Sequence, residues 1–115
     1  MAISNTSVVD TTSKYIVKST GVGSETNQII VDAEKLKDGT NKSLVSMIEC
    51  YFLIEGIGTL FVSADDETND LSLKGKGKYG LRPDQLKFGN DKQIKITTDA
   101  LVKSYLLVTE FRRNN

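Results

Sequence analysis

The stretch Ser43-Leu-Val-Ser-Met-Ile-Glu-Cys-Tyr-Phe-Leu-Ile-Glu55 is the longest part of this chain with the pattern of a β-strand. Successive side chains of a strand point to opposite faces of a sheet, so even-numbered residues from 44 to 54 would share one face. Odd-numbered residues from 45 to 53 would share the other. Because both sets are mostly apolar, the sequence predicts a central strand that is covered on both sides for much of its length.

Shorter segments of the same character lie on both sides of this stretch. Gly56-Ile57-Gly58 predicts a hairpin turn into a strand over 59–63, and residues 102–112 form a second long apolar strand pattern. Residues 32–39 are the only helix-like segment, about two turns long, with Asp32 as its cap and Gly39 at its end. The remaining strands are expected at 15–19, 28–31, 71–74, 86–88 and 93–97, with turns at 21–24 and 89–91.

These segments predict an all-β fold. About eight short strands recur at intervals of roughly 10 residues, which is typical of a sandwich or a closed barrel. A lone parallel sheet is unexpected because the crossover helices that it needs are missing. The sequence therefore indicates one β-sandwich or jelly-roll-like barrel of antiparallel strands.

The domain is expected to span residues 13–115 and to follow an extended N-terminal arm over residues 1–12. The arm is rich in Ser, Thr and Asn, and its apolar residues Ile3, Val8 and Val9 are candidates for contact with a partner. Such an arm can add a strand to a neighbouring sheet. We therefore expect that its removal leaves the fold intact and abolishes assembly.

The charge balance argues against two classes of partner. The chain has 115 residues, with 15 basic and 15 acidic residues and a formal net charge of zero. No long-range field attracts nucleic acid or an anionic membrane, and no apolar run reaches the ~20 residues of a membrane helix. We expect neither partner, and the N-terminal residues do not have the pattern of a secretory signal.

Catalytic chemistry has few candidate residues in this sequence. There is no histidine and a single cysteine, Cys50, so triads with histidine and Cys/His zinc sites cannot form. Cys50 lies in an apolar run and is expected to be a small buried core residue. The sequence therefore predicts a protein without enzymatic activity, cofactor or resident metal.

The acidic segment 65–70 is expected to be a solvated loop between strands. It has enough carboxylate oxygens for calcium, but it lacks the mid-loop glycine and the terminal glutamate of an EF-hand. A bound cation and an ionic contact to a neighbouring chain remain alternatives.

The most unusual segment is Lys74-Gly-Lys-Gly-Lys-Tyr-Gly80. In an extended conformation Lys74, Lys76 and Lys78 would share one face, with glycines on the other. This pattern is typical of an edge strand that lysines protect from aggregation. The alternative is a docking patch for an acidic protein surface, which would include Tyr79. Arg112 and Arg113 form a second basic segment and are further candidates for partner contact.

Three segments carry a resemblance to a known family: Ser7-Val-Val-Asp-Thr-Thr-Ser-Lys-Tyr-Ile-Val17, Leu53-Ile-Glu-Gly-Ile-Gly-Thr-Leu60 and Gly75-Lys-Gly-Lys-Tyr-Gly-Leu-Arg-Pro83. They resemble small virion structural proteins of marine tailed phages. The resemblance implies a capsid decoration or cement protein, made in the host cytoplasm and located in the virion. It also implies binding to the major capsid protein or another virion protein, and a homo-oligomer, trimeric or dimeric.

Two alternatives stay open from the sequence. The chain could be a tail, neck or fibre component of the same particle. It could also be a free-standing β-sandwich module that binds a ligand such as a carbohydrate, although it has no Trp and only four Tyr for an aromatic platform.

Overall fold

The structure is a computed structural model that describes residues 3–23, 26–36, 38–64, 69–80 and 91–114. Nine strands lie in these ranges. They are β1 (Ser4–Asp10), β2 (Lys14–Val22), β3 (Gln28–Asp32), β4 (Leu44–Gly56), β5 (Leu60–Ser63), β6 (Asn69–Leu73), β7 (Lys76–Gly80), β8 (Gln93–Thr98) and β9 (Val102–Asn114).

The strands form two antiparallel sheets that pack face to face. The first has the order β1-β2-β9-β4-β7 and the second has the order β3-β8-β5-β6. The two long strands β4 and β9 pair over almost their whole lengths in the first sheet. This arrangement confirms the predicted all-β, jelly-roll-like sandwich.

The core lies between the two sheets. Its members are side chains on the inner faces of both, and many have no exposed surface at all. Burying such side chains is worth about 1.5–3 kcal/mol each for residues of this size. The largest of them are Phe111, Met47, Leu60, Ile94, Ile96 and Leu107.

A β-bulge changes which residues of β4 face the core. Register with β9 shifts between Met47 and Glu49, so one extra residue is inserted there and the alternation changes parity. Val45 and Met47 are buried before the bulge, and Cys50 and Ile54 are buried after it. The predicted single face of even-numbered residues is therefore wrong for the first part of the strand.

The N-terminal segment belongs to this chain's own sheet. Residues 4–10 are extended and pair with β2 as the outermost strand, with a bulge between Ser7 and Val9. The side chain of Asn5 accepts a hydrogen bond from Ser19 and donates one to the carbonyl oxygen of Ile29 in the second sheet. Because β1 closes one side of the sandwich, its removal is not expected to leave the fold intact, which revises the expectation from sequence.

Two local predictions were wrong. The helix-like segment is only a 3-10 turn over Ala33–Lys35, capped by the Asp32 carboxylate, because so short a helix is marginal without packing. The glycine-containing segment at 21–22 is not a turn, since β2 continues through Val22 opposite Ser104. Two further predictions fall outside the described residues. They concern residues 65–68 of the acidic segment, and the strand and turn predicted over 86–90.

Candidate functional site

The outer face of the five-stranded sheet carries an apolar groove of about 590 Å³. Its floor comes from the two long strands, where Tyr51 lies opposite Val108 and Leu53 lies opposite Leu106. Lys76 and Lys78 of β7 border the groove, because they lie opposite Leu53 and Tyr51. We call these six residues the outer-face groove.

The floor of the groove consists of apolar side chains that are unusually exposed to solvent. Tyr51 is 47% exposed and Leu53 is 41% exposed, while Leu106 and Val108 are half-buried. In the part of the chain that the structure describes, no third layer covers this face. The predicted cover on both sides of the longest strand therefore does not extend to Tyr51 and Leu53, and the contiguous apolar surface there is typical of an interaction site.

Lys78 is held in place at the border of the groove. Its ammonium group lies 4.8 Å from the centre of the Tyr51 ring and 3.3 Å from a carboxylate oxygen of Glu49. The hydrogen bond to Tyr51 and then the interactions with Glu49 raise the pKa of Lys78 above its ordinary value. This lysine therefore stays cationic throughout the physiological pH range.

β7 is an edge strand of the described sheet, as the lysine-rich pattern predicts. One of its glycines, Gly77, serves packing within this chain. A Cβ atom on Gly77 would lie 3.1 Å from the Phe52 ring, so the missing side chain leaves room for that aromatic ring. The alternative role, letting a foreign backbone approach, stays a prediction.

The structure separates the predicted basic and aromatic residues. Lys76 and Lys78 lie together at the groove, whereas exposed Lys74 lies where the chain crosses from the second sheet to the first. Tyr79 is half-buried, pairs with Cys50 and packs against the core. It is therefore a core-facing residue of β7 and does not share the lysine face.

The two C-terminal arginines differ in environment. Arg112 is exposed, but the Arg113 side chain is only 1% exposed. Its guanidinium lies 3.4 Å from the Asp10 carboxylate and donates a hydrogen bond to the carbonyl oxygen of Thr11. Arg113 thus joins β9 to the end of β1, and its side chain offers almost no surface to another chain. Its predicted contact with a partner stays a prediction.

The three apolar residues of the N-terminal segment also lie apart from the groove. Ile3 packs against the core and Val9 is half-buried opposite Ile16. Val8 lies at the β1 bulge and is 60% exposed. Of the three, Val8 is the residue most accessible to another chain.

Sequence reasoning missed the floor of the groove. The alternating apolar pattern of the two long strands includes all four floor residues, Tyr51, Leu53, Leu106 and Val108. Alternation alone does not distinguish a face that another layer covers from one that solvent reaches. No further signal in the single sequence identifies this face as exposed.

Residues with metal-binding or nucleophilic side chains are dispersed in the described ranges. No group of three or more His, Cys, Asp or Glu side chains there is close enough to hold a metal ion. Cys50 is buried, as predicted, and burial raises the pKa of its thiol to about 11, although a hydrogen bond from Thr109 opposes the shift. A neutral thiol in this position is a weak nucleophile.

Comparisons with known proteins identify no family for this chain. No family model matches it, and no curated protein matches it. Among solved structures, it is similar to a cupin domain from Bordetella pertussis Tohama I, with 8% sequence identity and a TM-score of 0.46 over 99% of this chain and 95% of that chain. No helix in the described part of the chain is long and apolar enough to cross a membrane.

Proposed function

We propose that this chain is a non-enzymatic virion structural protein that binds a neighbouring protein chain through the outer-face groove. The sequence resemblance points to the capsid shell of a tailed phage as the assembly, with the chain as a decoration or cement protein. The single observation that carries a binding role is the exposed apolar floor of the groove, bordered by lysines along an edge strand.

The chemistry of the groove favours an extended partner segment that combines apolar and acidic side chains. Its apolar residues would cover Tyr51 and Leu53, and its carboxylates would face Lys76 and Lys78. β7 lies at an edge of the described sheet, and an extended segment beside it would lie where a further strand could be added. Pairing of β7 with its own copy would bring lysines opposite lysines, which is unfavourable, so the edge selects a partner of different charge.

The first test asks whether the chain is part of a particle. Mass spectrometry of virions from the source that encodes this chain measures its copy number. Hundreds of copies support a shell protein, whereas about six or twelve support the tail or neck alternative. Absence of the chain from the particle would refute the virion proposal.

The second test asks whether the groove makes the contact. Particles stripped of the chain are mixed with purified protein, and binding is measured by co-sedimentation. Leu53→Ser is expected to weaken binding about tenfold or more, as for a residue at the centre of an interface. Ile29→Ser is the matched control, because Ile29 has the same 41% exposure but lies in the second sheet.

Equal binding by both variants would exclude the groove as the contact surface. Circular dichroism and thermal unfolding of the two variants establish that any loss of binding is not a loss of fold.

A free-standing ligand-binding module is the second candidate. The groove has the volume of a typical small-molecule site, which is on the order of 300–1,000 Å³, and Tyr51 offers an exposed aromatic ring. A glycan array tests this candidate. Binding to a glycan that Tyr51→Ala abolishes would support the module, whereas an empty array beside clear particle binding would exclude carbohydrate.

A further inference from the structure

Two adjacent rows of side chains cross the outer face of the five-stranded sheet and extend beyond the outer-face groove to β2. In the first row Lys18 of β2 lies opposite Val108, which lies opposite Tyr51. On the far side of Tyr51 this row ends at Lys78 of β7. The members of the second row, in the same order of strands, are Thr20, Leu106, Leu53 and Lys76. Each row therefore has two floor residues in its middle, and the first row has a lysine at both ends.

The charged side chains of this face surround the apolar floor unevenly. Because side chains alternate between the two faces of a strand, those on the outer face of the described strands are Lys14, Lys18, Glu49, Glu55, Lys76, Lys78, Glu110 and Arg112. Lys18 flanks the floor on the β2 side, and Lys76 and Lys78 flank it on the β7 side. No carboxylate of the described strands lies in either row.

The carboxylates of this face lie beyond the floor along the strands. Glu49 and Glu110 lie opposite each other past one end of the floor, and Glu55 lies two residues past Leu53 at the other end. The first two each have a lysine nearby, at 3.3 Å and 3.9 Å in the pairs Glu49–Lys78 and Glu110–Lys14. The border of the floor is therefore cationic across the strands and anionic along them.

Lys18 and Lys76 are the cations beside the floor that a partner can engage without breaking an ion pair. Both are exposed, and neither forms an ion pair within the described ranges. An acidic segment that ran along the strands would approach Glu49 or Glu55, and like charges in close contact are unfavourable. An acidic segment that meets both lysines has to cross the strands instead.

The geometry of the sheet sets the spacing of the partner's carboxylates. From β2 to β7 there are three steps between neighbouring strands, which at about 4.8 Å each make about 14 Å. In an extended segment the residues i, i+2 and i+4 share one face, and i and i+4 are about 13 Å apart. Acidic residues at i and i+4 would therefore reach the two lysines, and an apolar residue at i+2 would lie on the floor.

We propose that the partner segment lies across the strands of the outer face, with acidic residues at i and i+4 beside Lys18 and Lys76 and an apolar residue at i+2 on the floor. This inference rests on the proposed function, because it takes the outer-face groove as the contact with another protein chain. It adds the direction and the residue pattern of the partner segment. It also assigns a recognition role to Lys18, which does not line the groove.

Titration of the full chain with a synthetic peptide, followed by NMR of the backbone amides, tests the direction without any particle. The peptide Ser-Glu-Ser-Leu-Ser-Glu-Ser, blocked at both ends, carries the proposed pattern. It is expected to shift the amide signals of Tyr51 and Val108 saturably, with a dissociation constant of about 1–10 mM, as for a weak short ligand.

Lysine variants identify the ends of the contact. Lys18→Gln and Lys76→Gln should each weaken binding of this peptide about two- to fivefold, the effect of one exposed ion pair. Lys35→Gln is the matched control, because Lys35 is exposed but lies in the 3-10 turn after β3 of the second sheet, and it should bind as the wild type does. The peptide Ser-Leu-Ser-Ser-Glu-Glu-Ser, of the same composition, should bind several-fold more weakly because its carboxylates cannot reach both lysines.

The outcomes separate this inference from the proposed function. Equal affinity for the two peptides, no binding of either, or unchanged binding by Lys18→Gln would overturn the crossing arrangement. In the particle assay, loss of binding by Leu53→Ser together with full binding by Lys18→Gln would retain the groove as the contact and refute the crossing. Binding of phosphatidylglycerol vesicles without binding of the peptide would instead assign the floor and its lysines to a lipid surface.

Discussion

Replacement of Arg113 by methionine probes the contact that joins the two ends of the described chain. Methionine keeps an unbranched apolar stem in the buried position and removes only the guanidinium group. In the wild type this group meets the Asp10 carboxylate and the Thr11 carbonyl oxygen, with the side chain only 1% exposed.

The expected loss of stability follows from these two contacts. A hydrogen bond from a charged donor is worth about 1.5–3 kcal/mol. The ion pair with Asp10 adds at most about 1 kcal/mol, because the Asp10 side chain is 31% exposed and water can solvate it. Arg113→Met should therefore lower the free energy of unfolding by about 2–4 kcal/mol.

Urea unfolding followed by far-ultraviolet circular dichroism measures this loss. With the m-value of a small domain, the midpoint should fall by roughly 1–2 M. Arg112→Met is the matched control, since Arg112 is the exposed neighbour on the same strand, and it should change stability by less than about 0.5 kcal/mol. Equal midpoints for the two variants would refute the view that β9 and β1 are held together by Arg113.

Two further predictions concern the core and the turn between β4 and β5. The free energy of unfolding should decline from about pH 9 to 11 more steeply in the wild type than in Cys50→Ala. The reason is that the unfolded thiol ionises near its ordinary pKa of 9.0, while the folded thiol keeps its proton until about 11. Parallel pH profiles of the two proteins would contradict the burial of this thiol. Gly58→Ala should cost more than about 2 kcal/mol in thermal unfolding, since its Cβ would lie 2.1 Å from Asp99 Oδ1 and 2.4 Å from the Val102 nitrogen. Gly75→Ala is the control and should cost only about 1 kcal/mol, because Gly75 has a positive φ of 66° but nothing lies within 4 Å of an added Cβ. Similar losses of stability at both glycines would argue against tight packing around Gly58.

The architecture was predictable because strand patterns are local. Alternating apolar residues over 43–55 and 102–112 predicted the two long strands, and both exist in the first sheet. The lysine-rich segment predicted an edge strand, and β7 lies at an edge of the described sheet. Cys50 was predicted to be buried because it lies in an apolar run, and it is.

The candidate site was only partly predictable. Lys76 and Lys78 were identified from their spacing, but the surface that they border was not. The β4 bulge between Met47 and Glu49 changes which residues face the core, and the single sequence has no glycine there to mark it. Arg113 has the sequence features of an exposed basic end, yet it is buried against residues about a hundred positions earlier.

The sequence by itself determined the strand periodicity, the absence of histidine chemistry and the balanced charge. Only the tertiary structure decided that Tyr51 and Leu53 face solvent, and that Gly23 and Gly58 lie against the backbone of Val102. The physical reason is that side-chain alternation follows from the geometry of neighbouring residues, whereas burial depends on which distant strands pack over a face.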